Sequence, residues 1–106
     1  MTFEEVVGAV QARLGDRVRV EQLGGEASTC CGVLRPGVGF EEERQGRDFP
    51  VDAEADADGA WTFRVAPYAY WFRLHPETVR HAHEEPDGRY LRIELVEGSA
   101  TVITLL

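Results

Sequence analysis

Apolar residues recur at two different spacings along this chain, and the switch between them falls near residue 16. Phe3, Val6, Val7, Val10 and Leu14 stand three and four apart, which lines them along one side of a helix. Thr2 and Glu5 form a T-x-x-E capping box, in which each side chain satisfies the other residue's free backbone N–H. Glu4 and Glu5 sit at the positive end of the helix dipole and Arg13 at the negative end. Gly15 is a natural stop. The spacing predicts a helix over 2–14 whose apolar stripe packs on a core.

From Asp16 onward the period is two. Arg17 to Leu23 alternates and then meets Gly24-Gly25, a hairpin signal. A two-residue turn there sets Val20 against Thr29 and Val18 against Cys31. Cys31 then points inward and Cys30 outward, opposite Arg19. The returning strand is expected from Glu26 to Leu34, and Arg35-Pro-Gly-Val-Gly39 breaks it.

Glu41 to Arg47 has no periodicity and reads as a solvated, mobile acidic loop (41–47). Asp48 to Asp56 alternates, with Phe49, Val51, Ala53 and Ala55 on one face and the acids on the other. Trp61, Phe63 and Val65 alternate next. A three-residue Ala57-Asp58-Gly59 loop would join the two strands, setting Ala55 against Trp61, Val51 against Val65 and Asp52 against Arg64. Tyr68, Tyr70, Phe72 and Leu74 continue the alternation. If Tyr70 and Phe72 face the core, Trp71 and Arg73 face away from it. Pro76-Glu77-Thr78 reads as a single turn. Val79 to Glu84 and Arg89 to Glu97 form a hairpin about Pro86-Asp87-Gly88. Its simplest register pairs Arg80 with Glu94 and sets Val79, His81 and His83 beside Leu95, Ile93 and Leu91. A type II′ turn at Gly98-Ser99 leads into a last strand, Thr101 to Leu106.

One helix and about seven short strands, without βαβ alternation, predict an α+β domain with a strongly bent antiparallel sheet. An SH3-like or Sm-like barrel is the first architecture this implies, and a flatter sheet crossed by the helix is the second. At 106 residues the chain makes one domain, 1–106, long enough to bury a core without metal or disulfide staples.

Charge narrows the functional classes. The net charge is −8, and residues 41–58 carry −6 of it, eight acids against Arg44 and Arg47. That argues against direct binding to nucleic acid and to anionic membrane surfaces. All 11 basic residues are arginine, so lysine Schiff-base chemistry is excluded. This composition reads as a bacterial, GC-rich coding bias. The start, Met-Thr-Phe-Glu-Glu, has no basic and apolar leader pattern. Cys30 and Cys31 are adjacent, and strand neighbours point apart, so a disulfide is not expected and a reducing, cytoplasmic setting fits.

Candidate chemistry is sparse. Glu54, Asp56, Asp58 and Gly59 resemble the start of a calcium loop, but Val65 stands where its bidentate glutamate should be. His75, His81 and His83 are the candidate metal ligands, with no recognised spacing to support them. No serine or cysteine lies in a nucleophile frame, and no cofactor is expected. What remains is a non-catalytic interaction or regulatory domain, of inhibitor, antitoxin or immunity type. It would bind a protein partner with a basic surface through Asp52, Glu54, Asp56, Trp71 and Arg73. A self-associating β module, a homodimer for example, and a histidine-based metal protein or metal-dependent enzyme are the alternatives.

Overall fold

The computed structural model describes residues 1–37 and 59–106. Helix α1 spans Phe3–Gln11 and buries Val6, Val7 and Val10. Both halves of the capping box form. Thr2 N–H donates to Glu5 Oε1 at 2.9 Å and Glu5 N–H to Thr2 Oγ1 at 3.2 Å. The helix is shorter than 2–14 because its end tightens: Arg13 and Leu14 N–H donate to Val10 and Gln11, three residues back. Gly15 then takes a positive φ of 86°, and its N–H donates to Leu34 O at 2.8 Å.

Seven strands follow: β1 Arg17–Leu23, β2 Ser28–Pro36, β3 Trp61–Ala66, β4 Tyr70–Leu74, β5 Val79–Glu84, β6 Tyr90–Leu95 and β7 Ala100–Leu105. They form one antiparallel sheet in the order β4-β3-β2-β1-β7-β6-β5. Two meanders, β1 to β4 and β5 to β7, are thus joined by the pairing of the first strand with the last. The expected barrel is not formed, since β4 and β5 stay at opposite edges and the sheet is not closed. It is nonetheless strongly bent. Seven strands laid flat would put the edge strands about 29 Å apart. The link between them is only His75 to Thr78, which takes the chain across no more than about 18 Å.

One face of the sheet carries the core. Val18 and Val20 of β1, Phe63 and Val65 of β3, and Ile93 of β6 lie on it with α1, all fully buried. Phe63 stacks on Phe72 across the β3–β4 ladder, with ring centroids 5.4 Å apart.

Three registers depart from the sequence expectation. In the first hairpin Gln22 pairs with Ser28, Val20 with Cys30 and Arg19 with Cys31. The connection is longer than two residues and the cysteines exchange faces. Cys30 is inward and half-buried, and Cys31 is outward and exposed. The reason is room. Gly32 lies opposite Val18, and a Cβ there would overlap the Ala66 carbonyl oxygen, so no cysteine can occupy that position.

In the β5–β6 hairpin a bulge at Arg80 shifts the ladder, and His81 pairs with Glu94, Ala82 with Ile93 and His83 with Arg92. Small Ala82 takes the inner position that the simpler register gave to imidazoles, which would have required burying polar rings. The last turn is centred on Glu97-Gly98, with φ of 70° and 80°, rather than on Gly98-Ser99.

The strand expected over 48–56 lies outside the described residues, as do the loop 41–47 and the calcium-loop acids. On its described side, β3 has both edges occupied: Val65 pairs with Leu34 of β2 and with Tyr70 of β4. Arg64 faces Arg35 of β2 and Trp71 of β4, and the expected pairing of Asp52 with Arg64 lies outside the described residues.

Candidate interaction surface

Alternation along β4 does what the sequence predicts. Phe72 and Leu74 are buried, while Trp71 and Arg73 stand on the outer face, with Trp71 41% exposed. The other predicted site residues, Asp52, Glu54 and Asp56, lie outside the described residues.

Trp71 lies at the end of a row that crosses three strands. Arg35 of β2 faces Arg64 of β3, and Arg64 faces Trp71 of β4. The Arg64 guanidinium lies 5.9 Å from the centre of the Trp71 ring, a cation–π distance. Its Nη1 donates to Tyr68 O at 3.3 Å, and the residue is 2% exposed. Burial first, and then the Arg35 charge, hold this guanidinium below the ordinary arginine value. Neighbouring rows place Thr62 against Arg73, and Arg17 against Val33 and Ala66. Over β2, β3 and β4, with Arg17 at the margin, these rows hold four arginines and, among the described residues, no carboxylate.

Elsewhere on the outer face two arginines meet glutamates. Arg19 meets Glu21 at 3.3 Å, and Arg92 Nε donates to Glu94 Oε1. The bond from Arg92 is the main reason the Glu94 carboxyl lies below the usual glutamate range. The Glu5 carboxyl is lowered as well, chiefly by the backbone N–H of Thr2. Both shifts have the same sign consequence. Their stabilisation is fully present above the unfolded glutamate pKa and is lost as pH falls through the lower folded-state values. We expect thermal stability to drop across that acid window, and Glu94→Gln to flatten part of the drop. An identical pH profile in Glu94→Gln would show that Glu94 is not a contributor.

The histidines do not converge. His75 sits in the β4–β5 turn, where its Nδ1 accepts from Glu77 N–H at 3.1 Å. His81 and His83 are exposed on the outer face of β5, opposite Glu94 and Arg92. Among the described residues no three His, Cys, Asp or Glu side chains are grouped to hold a metal ion. The expectation that the histidines pack beside Leu91 and Ile93 is therefore corrected by the Arg80 bulge.

On the opposite side of the sheet an apolar groove of about 460 Å³ opens between α1 and the start of β3. Phe3, Val7, Trp61 and Pro76 line it, with Glu4 and Gln11 also in the lining. Cys30 faces the core, and burial raises its thiol pKa. No described helix is long and apolar enough to cross a membrane.

The sequence pattern assigns no site role to Arg17, Arg35 or Arg64. Each stands at an outward position of its own strand, which is the one local signal. Their union needs the order β3-β2-β1, which no local pattern encodes. Comparison with protein-family models, with curated proteins and with solved structures finds no match.

Proposed function

We propose that this protein is a non-catalytic interaction domain that docks a protein partner on the outer face of its sheet. The observation that carries the reading is Trp71, a large ring 41% exposed beside a row of arginines, on the face that α1 does not cover. Tryptophan and arginine are the residue types most enriched among the few that dominate interface energies. Tyr68, 57% exposed, adds a second aromatic nearby in the chain. The expected basic partner rests on Asp52, Glu54 and Asp56, outside the described residues. The described part of the surface has the opposite sign.

The β5 edge is a poorer docking strand, because its bulge and its exposed His81, His83 and Glu84 are devices that discourage sheet-to-sheet pairing. That disfavours the self-associating alternative at this edge.

The test is cross-linked capture from native lysate with wild type and Trp71→Ala. Loss of an exposed anchor is expected to reduce capture about tenfold or more. It should change folding stability by only about 0.5 kcal/mol. Capture of the same proteins at the same level by both would remove Trp71 as an anchor and the reading with it.

A further inference from the structure

We propose that the groove between α1 and the start of β3 is a docking site of its own. It takes a segment of a partner protein that carries apolar side chains beside an arginine or lysine. The groove lies on the side of the sheet away from Trp71, so it does not rest on the reading of the outer face.

Its volume of about 460 Å³ falls within the range of about 300–1,000 Å³ usual for binding pockets. Phe3, Val7, Trp61 and Pro76 supply apolar walls. Phe3 and Trp61 are only half-buried, and covering their remaining surface favours association.

The described lining holds one charge, Glu4, and no arginine. Glu5 beside it is occupied by the capping box, but among the described residues no hydrogen bond or ion pair engages the Glu4 carboxylate. Glu77, next to the lining residue Pro76, is exposed as well. A cation seated in the groove meets Glu4 and the Trp61 ring together, and both attract it. The net charge of −8 steers the same kind of partner toward the chain.

Gly8 favours a peptide over an isolated small cation. It stands exposed in the interior of α1, where it neighbours Glu4 and Gln11, both of the groove lining. Glycine inside a helix costs stability relative to alanine. Packing within the described residues does not require it, since a Cβ at Gly8 meets no atom within 4 Å. At the margin of an apolar groove such a glycine leaves room for a second backbone to approach closely.

The experiment is an NMR amide-shift titration of the isotopically labelled full chain. The probe is a peptide of about twelve residues with leucines three and four apart and arginines between them. Two counterparts carry glutamate for arginine, or serine for leucine. The leucine–arginine peptide should shift Val7, Gly8, Gly59 and the Trp61 indole N–H. It should bind at least about tenfold more tightly than either counterpart. Glu4→Gln should lower its affinity about three- to tenfold. Glu26→Gln, which removes the same charge from the β1–β2 turn, should leave it unchanged. Gly8→Ala should raise Tm by about 2–4 °C and yet weaken the peptide about fivefold, opposite effects that a role in folding alone would not produce.

Equal binding of the arginine and glutamate peptides overturns the proposal. So does the absence of shifts at these residues at about 1 mM peptide. So does an affinity of Gly8→Ala equal to wild type or above it, because no partner backbone would then lie against α1. Shifts of the same amides on raising the protein concentration alone would make a second copy the occupant. Binding that emerges only after Phe49→Ser and Val51→Ser would make this chain's own residues the occupant. Tighter binding of phenethylammonium than of the peptide would make the ligand a small cation. Trp71-dependent capture tests the outer face separately, so the failure of one surface is distinguishable from the failure of the other.

Discussion

Replacing Gly32 by alanine is expected to destabilise the protein by about 3 kcal/mol, at the upper end of the range for overpacking. The added Cβ would overlap the Ala66 carbonyl oxygen and lie 2.9 Å from Val65 Cγ1. The valine can adjust; the carbonyl cannot do so freely, because Ala66 is the ladder partner of Val33. Relief therefore requires β2 and β3 to part at that point. Removing glycine also narrows the unfolded ensemble and favours folding by up to about 1 kcal/mol, so the strain must exceed the net loss by that amount. Denaturant unfolding should show a lower midpoint with an unchanged m-value. A Gly32→Ala variant within about 0.5 kcal/mol of wild type, the range of harmless surface changes, would show that the two strands are not as tightly apposed as described. The same approach sets the outer face. Gly32 lies opposite Val18, and this register carries Arg17 to Val33 and Arg35 to Arg64.

Gly32 also marks where reading the chain without coordinates stops working. Local signals were legible. The capping box of Thr2 and Glu5 forms as the T-x-x-E pattern implies. Trp71 points away from Phe72 because adjacent strand residues must do so. The seven strands lie near their expected places, and the acute bend follows from short links. Pairings were less legible. Gly24-Gly25 has the composition of a two-residue turn, yet the steric demand opposite Val18 comes from β3, far along the chain. The Arg80 bulge is likewise set by what fits opposite Ile93, and Ala82 fits where an imidazole would have to be buried. The candidate site suffers most, since Arg17, Arg35, Arg64 and Arg73 come from four strands. The alternation of each was visible, but their adjacency depends on sheet order, a non-local property.

Arg13 supplies the second large effect. It is 4% exposed, and it connects the end of α1 to the hairpin at the far edge of the sheet. Its Nη1 donates to Ala9 O and its Nη2 to Gly88 O at 2.6 Å, while Glu84 Oε2 lies 3.0 Å from Nη2. Arg13→Met keeps much of the apolar stem and removes all three contacts. Glu84 is partly exposed and can regain water, so the full penalty of a stranded buried charge does not apply. The two carbonyl oxygens lose a charged donor, at about 1.5–3 kcal/mol for each such bond before any relaxation. A net loss of about 3 kcal/mol is expected, or a fall of about 13 °C in Tm for a domain of this size. Arg13→Lys keeps the charge without the fork and cannot serve Ala9, Gly88 and Glu84 with the same geometry, so about half the loss should remain. The loss should not be uniform. Arg13 holds the β5–β6 turn rather than the β2–β3 ladder, so amide exchange should accelerate first over residues 83–91 and last at the arginine rows. Uniform acceleration would instead mean that Arg13 stabilises the whole domain equally. A Tm within about 4 °C of wild type, equivalent to about 1 kcal/mol, would mean that water replaces its hydrogen bonds and that the helix seats itself through Val6, Val7 and Val10 alone.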